Sequence, residues 1–244
     1  MIMTVKKGDI VRIEYEGYVA EENRLFDTSQ ESKAEEAGIY DENFKYAAMP
    51  VLIGAGKVFP GLEDAIMGAA LGEETEVTIP FAEAAGERDP RKVETHPLRD
   101  FLKQDIQPYP GLEITLGNRR ATVLAVTAGR VRVDFNNPLA GKDLLYKFTI
   151  TEVLEDPIDK AMALIDLDFG NSEGFEVELL EDKVVVKLSE VTKFDQSWPM
   201  ARFRLVSDLR DALGVDTVEF VEVWAKVVAE EEESSEDDEE EPAE

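Results

Sequence analysis

Three short stretches hold the residues of this sequence best suited to chemistry. IEYEGYV (Ile13–Val19) sets an aromatic, Tyr15, in the middle of a segment whose apolar and polar positions alternate. LFDTS (Leu25–Ser29) ends a second such segment and presents Phe26 and Asp27. IGAGKVFPGLEDAIMG (Ile53–Gly68) crosses on glycines, enters a helix at Pro60–Gly61 and stops near Gly68. The usual reagents of enzymes are scarce: cysteine is absent and His96 is the single histidine. Disulfides and thiolate chemistry are excluded, and His96, at a predicted helix start before Pro97, reads as structural. What remains is aromatics, one carboxylate and backbone amides, equipment for holding a ligand out of water.

The elements that must position these groups follow from periodicity. Val5–Val19 alternates so that Val11, Ile13 and Tyr15 share one strand face, and Val77–Ile79 and Leu144–Val153 read as strands of the same sheet. An acidic excursion, Gln30–Tyr46, separates LFDTS from the glycine-rich crossing; it carries some helix near Lys33–Ala37 and no assigned chemistry. Organisation changes at Ala85–Gly86. THPLRDFLKQDI then predicts a short helix with Pro97 near its start. Arg119–Val126 and Gly129–Phe135 predict a hairpin turning at Ala128–Gly129. Beyond Glu155–Asp156–Pro157 the pattern is helix (Ile158–Asp168), hairpin (Phe175–Leu179, Val184–Leu188), helix (Met200–Leu213) and strand (Val218–Val228). This αββαβ order, stopped by Gly170 and Gly214, predicts a small α+β unit.

Composition bounds the function. A chain of 244 residues, 43% hydrophobic, can build real cores. Its net charge is −28; residues 229–244 hold eleven acidic side chains and no basic ones, which leaves −17 on the rest. That surface repels phosphate backbones, so nucleic acid is not an expected partner. The N-terminal MIMTVKKGD lacks the apolar core of a secretory signal and no run reaches membrane-spanning length. No membrane association is expected, and the cytoplasm is the expected compartment. The tail EEEESSEDDEEEPAE offers oxygen ligands without imidazole or thiolate; residues 230–244 are expected to be a solvated, disordered segment.

In order, YEG, FDTS, VFPGLE and the late strand LLYKF resemble the FKBP-type peptidyl-prolyl cis-trans isomerases, best the SlyD-like and long archaeal branch with an insert-in-flap domain and a C-terminal extension. The return segment NPLAGK (Asn137–Lys142) strengthens the likeness. The resemblance implies an α+β fold: an FKBP-like antiparallel sheet wrapped on a short helix, an inserted small β/α flap domain and a C-terminal α+β domain. The implied divisions are 1–87 with 136–154 for the isomerase, 88–135 for the insert, 155–229 for the C-terminal unit and 230–244 for the tail. It implies a prolyl pocket lined by Tyr15, Phe26, Asp27, Val58, Phe59, Leu62 and Tyr146, with Met49 where relatives often carry an aromatic. Read singly, Tyr15 and Tyr146 are equally ordinary core aromatics, and Asp27–Ser29 an ordinary turn or cap.

The family's A-Y-G segment reads EAAGERDP here, which puts Ala85 where a tyrosine hydroxyl would donate to substrate and predicts reduced activity. In the insert, Val93, Leu98, Phe101, Leu102, Ile106 and Tyr109 are expected to leave an apolar groove for unfolded chains. The implied partners are unfolded or proline-containing polypeptides. No cofactor and no metal are implied, and the hydrophobic last strand is expected to support a homodimer. The competing expectations are a chaperone with a decayed pocket and a dimeric assembly protein.

Overall fold

A computed structural model of the chain describes residues 5–225. The acidic tail and the end of the expected strand Val218–Val228 lie outside the described residues. The chain runs through β1 (Ile10–Val19), β2 (Arg24–Thr28), α1 (Glu31–Ala37), β3 (Met49–Leu52), α2 (Pro60–Gly68) and β4 (Glu74–Ile79). It then leaves the first sheet for β5 (Val93–Pro97), α3 (Leu98–Leu102), β6 (Glu113–Leu116), β7 (Arg119–Thr127) and β8 (Arg130–Asp134), and returns as β9 (Leu144–Leu154). The last third is α4 (Pro157–Phe169), β10 (Glu176–Leu179), β11 (Lys183–Lys187), α5 (Trp198–Leu213) and β12 (Thr217–Val221). Among the described residues no helix is long and apolar enough to cross a membrane.

The first sheet is antiparallel, ordered β2-β1-β9-β4, and β3 also pairs with β1. β2 and β3 therefore divide one edge of β1: β3 runs along Ile10–Ile13 and β2 along Glu16–Val19. The sheet wraps on α2, whose Leu62 and Ile66 are buried among Val11, Ile13, Ile79, Leu144, Phe148 and Ile150. Such a sheet-on-helix arrangement lets each apolar strand face remove its surface from water at about 25 cal/mol per Å².

The insert has its own four-stranded sheet, β5-β8-β7-β6, and its own small core of Phe101, Ala121, Val123, Val131 and Val133. Its hairpin turns on Ala128 (φ 44°) and Gly129 (φ 78°), the paired left-handed residues of a type I′ turn. Two chain segments join it to the first sheet, and Asn136 clasps them together. Its amide donates to the Asp89 carbonyl (3.0 Å) and to Asp134 Oδ1 (2.6 Å), and its Oδ1 accepts from the Asp89 N–H (2.9 Å). Arg88 adds an ion pair to Asp134 at 2.6 Å.

The last third carries the expected αββαβ order around a mixed sheet, β10-β11-β12, in which β11 and β12 are parallel. Its core extends into the first sheet: Ile10, Leu52 and Leu154 are buried with Ala161, Leu164 and Ile165 of α4 and Leu205 and Leu209 of α5. The two units therefore share one apolar layer.

Several elements differ from the sequence reading. β3, β5 and β6 were not expected. β3 is four residues long and contains Pro50, which lacks a ladder donor and is tolerated because this strand pairs on one side only. The helix expected over THPLRDFLKQDI is confined to Leu98–Leu102, because Val93–Pro97 pairs with β8 instead. His96 consequently sits on a strand, edge-on to Phe101 and Phe135 at 6.4 and 6.2 Å, and not at a helix start. β12 ends at Val221, short of the expected Val218–Val228.

Candidate functional site

Tyr15 lies opposite the junction between β3 and β2, where its outward backbone groups have no ladder partner. The end of LFDTS supplies them. Ser29 Oγ accepts from the Tyr15 N–H at 2.9 Å, and the Ser29 N–H and Thr28 hydroxyl both donate to the Tyr15 carbonyl at 3.0 Å. Thr28 and Ser29 are themselves buried. The same turn that holds Tyr15 thus sets Asp27 beside it, and both side chains line one recess.

Gly17, two residues along the same face, leaves room for two rings. A Cβ there would stand 2.9 Å from Phe26 Cζ and 3.2 Å from Tyr146 Cε1. Phe26 meets the Tyr146 ring edge-on at 5.9 Å, and Tyr15 and Phe59 lie 6.2 and 6.3 Å from it. These are favourable aromatic separations. The glycine-rich crossing takes left-handed backbone at Gly54 and Gly56, and Glu63 Oε1 accepts from the Gly54 N–H at 2.7 Å. The crossing is thereby pinned to α2 just before Val58 and Phe59.

Tyr15, Asp27, Met49, Val58, Phe59, Leu62 and Tyr146 surround one recess of about 340 Å³, together with Gly56 and Lys57. Burial raises the hydroxyl pKa values of both Tyr15 and Tyr146, and the Asp27 charge raises them further. Both hydroxyls therefore remain protonated donors. Burial also lifts the Asp27 carboxyl above the ordinary carboxylate range, outweighing the neighbouring Tyr15 hydroxyl and Thr28 N–H, which lower it. The recess offers a ligand the apolar and aromatic surface of Met49, Val58, Phe59 and Leu62 beside the polar groups of Tyr15, Asp27, Lys57 and Tyr146.

Not every expected residue is there. Phe26 stands behind Tyr146 as a supporting ring and does not line the recess. Ala85 is also absent from the lining, in the loop beyond a short 3-10 turn at Phe81–Glu83. In the insert, Phe101 is 1% exposed at the centre of the core, and Leu98 and Ile106 pack against it. A unit this small needs those side chains for its own stability, so they form no open groove. Val93 is half-buried on β5; Leu102 and Tyr109 alone of the six are largely exposed.

Two contributors escaped the sequence reading. Gly17 has no signal of its own in the sequence, although the ring clearance depends on it. Nothing in the local sequence singles out Lys57. Its ammonium lies 2.8 Å from Asp168 Oδ1 and 2.8 Å from Asp208 Oδ2, across the boundary with the C-terminal unit. Burial alone would lower the Lys57 pKa, but the two carboxylates outweigh it and hold the group charged. Arg204 adds a bond from Nη2 to the Asp168 carbonyl at 2.9 Å. No local signal links positions so far apart in the chain.

An aromatic recess of this kind, on an antiparallel sheet wrapped around a helix entered at Pro60–Gly61, is what catalysts of amide-bond rotation require. The comparisons with known proteins agree. Residues 3–98 match the family described as FKBP-type peptidyl-prolyl cis-trans isomerase. Residues 96–139 match the FKBP26 IF domain, and residues 157–225 match the FKBP26 C-terminal family. The chain is 37% identical over 150 residues to the short-type peptidyl-prolyl cis-trans isomerase of Methanocaldococcus jannaschii, covering 62% of this chain and 93% of that protein. It is 33% identical over 131 residues to the FKBP-type isomerase SlyD of Treponema pallidum, covering 52% and 74%. The corresponding protein of Helicobacter pylori gives 31% over 128 residues, covering 49% and 68%. The chain belongs to the FKBP-type peptidyl-prolyl cis-trans isomerases, in their insert-bearing, SlyD-like branch.

The raised Asp27 pKa gives a signed prediction. Folding favours its protonated form, so that contribution to stability is complete below the unfolded value of about 3.9 and is lost as pH rises through the folded value. Asp27→Asn cannot ionise and should raise Tm at pH 7. The gain should fade as pH falls through the raised folded value and be gone below about 4. Thermal unfolding followed by circular dichroism across this range checks it; a gain equally large at pH 3 would contradict the assignment.

Proposed function

We propose that this chain accelerates cis-trans rotation of X-Pro bonds in polypeptides. The observation that carries the reading is the convergence of Tyr15, Phe59, Leu62, Tyr146 and Asp27 on one recess in a chain of this family. Rotation is slow because it breaks amide resonance, at a barrier of roughly 18–20 kcal/mol. A recess that strips water from the imide carbonyl removes hydration that favours the planar form, and donors that hold the flanking carbonyls favour the twisted one. The prolyl ring would lie over Leu62 between the tyrosine and phenylalanine rings. The Phe59 N–H, which meets no acceptor among the described residues, would hold a substrate carbonyl, and Asp27 would polarise the wall beside the rotating bond. With Ala85 in place of a tyrosine, one neutral hydrogen bond worth about 0.5–1.5 kcal/mol is lost. That slows the reaction about two- to thirteenfold without abolishing it.

Full-length protein should speed exchange of a short X-Pro peptide, measured by NMR exchange spectroscopy. Gly17→Ala, which forces the Phe26 and Tyr146 rings apart, should lower kcat/KM roughly tenfold, short of the ~100-fold that a 1 Å misplacement can cost. Exchange no faster with enzyme than without would remove the isomerase reading and leave a binding protein.

Around the recess we divide the chain as an isomerase unit broken by the insert, followed by the C-terminal unit, working in the cytoplasm on unfolded polypeptides and not on nucleic acid. The insert would act as a holdase through Leu102 and Tyr109, which remain exposed beside its core; apolar contact there would raise the local concentration of prolines at the recess. Replacing both by glutamate should halve or better the suppression of aggregation of a refolding protein, with short-peptide isomerisation kept. Unchanged suppression would exclude these side chains.

A homodimer through the C-terminal unit is favoured by the exposure there of Phe194 (82%) and Phe203 (79%), with Met200 and Trp224 also largely exposed. β12 is an edge strand of its sheet, open to pairing. The −28 charge does not forbid this, because repulsion is screened beyond about 8–10 Å in ordinary salt. Multi-angle light scattering should show a mass near twice 27.3 kDa that falls towards monomer for Phe203→Glu. A wild-type monomer at all concentrations would end this reading.

A further inference from the structure

Next to the recess, and sharing Tyr15, Asp27 and Met49 with it, lies a second hollow of about 450 Å³. Ala47, Ala48, Pro50, Leu167 of α4 and Phe44 of the acidic excursion give it apolar lining, and Arg12, Asn43, Lys45 and Asp166 complete it. The excursion, which had no chemistry to perform in the sequence, is held in shape here. Tyr40 stacks on Tyr46 at 5.5 Å, Phe44 meets Tyr46 edge-on at 4.9 Å, and the Asp41 N–H donates to the Tyr46 hydroxyl at 2.9 Å. Lys45 then ties this cluster to Asp166 of α4 at 3.3 Å. On the opposite flank the Lys57 contacts to Asp168 and Asp208 fasten the same helix pair to the active-site crossing.

We propose that this hollow is a second subsite of the isomerase site. It takes a bulky apolar side chain of the polypeptide, a leucine or phenylalanine flanking the prolyl residue, and it exists only because the C-terminal unit supplies part of its lining. The inference rests on the isomerase reading. Three observations lead to it. The two hollows share a wall, so a chain leaving the recess passes directly into the second. An extended chain advances about 3.3 Å per residue, which puts the hollow within one to three residues of the proline. The rim cations are already engaged, Lys45 by Asp166 and Arg12 by Glu152 at 3.8 Å, so the interior rewards apolar surface more than charge.

The test uses the full chain and alanine-based octapeptides with one Ala-Pro bond, a phenylalanine being moved from three residues before the proline to three after. NMR exchange spectroscopy gives kcat/KM for each and for the all-alanine parent. One placement should exceed the parent about tenfold, in the range that filling an apolar pocket gives. Leu167→Asp and Ala47→Trp should each remove that gain while leaving the parent peptide within about twofold of wild type. Thermal unfolding establishes that the variants fold; Phe44→Ser, on the exposed excursion, serves if Leu167→Asp does not. Equal rates for every placement, or a gain that survives all the variants, would overturn the subsite while leaving the isomerase intact. Failure to isomerise any peptide would instead overturn the isomerase reading and the subsite with it.

Discussion

The recess exists because the backbone at one point of β1 is completed by side chains. β1 is too long for either of its two neighbours on that edge, and the gap between β3 and β2 falls at Tyr15. A backbone donor and acceptor left unpaired there would each cost about 1–3 kcal/mol. Thr28 and Ser29 close the gap with hydrogen bonds of 2.9 to 3.0 Å, and doing so fixes where Asp27 and Phe26 stand relative to Tyr15. The aromatic wall is therefore a consequence of how a sheet edge is finished. Removal of either hydroxyl would disturb the wall through the backbone, before any ring was touched.

A second constraint joins the recess to the last third of the molecule. A buried carboxylate such as Asp168, whose side chain is 1% exposed, is tolerated only with a partner, and its partner is a lysine on the active-site crossing. Ion pairs of this kind add little net stability over apolar packing, but breaking one from a single side costs about 3–5 kcal/mol. Their effect is on geometry: if Lys57 moves, Asp208 loses this cation and Asp168 keeps only Arg204, at 3.4 Å. In a chain with 26 basic residues against 54 acidic ones, directing a lysine to this point couples the C-terminal unit to the loop that presents Val58 and Phe59.

Much of this was legible in the sequence because the decisive features are local. YEG, FDTS and VFPGLE each encode a turn, a strand end or a helix entry, and their side chains reach one recess because strand alternation and the Pro60–Gly61 entry fix their directions. What escaped depends on distance or on brevity. The Lys57–Asp168 contact spans 111 positions and has no periodic trace. β3, β5 and β6 are only four or five residues long, too short for alternation to declare them. Phe101 was assigned to an exposed groove because a five-residue helix shows no face, whereas the folded insert needs that ring as its largest core side chain.

A site of this construction places few demands on the charge of the rest of the protein. Burial drives the pKa values of the Tyr15 and Tyr146 hydroxyls upward, so neither changes state near neutral pH. The single carboxylate in the wall is shielded by Tyr15 and partly dry, so surface charges act on it from beyond the layer of rings. Negative charge can then accumulate over the surface to the extent seen here without altering what the recess does.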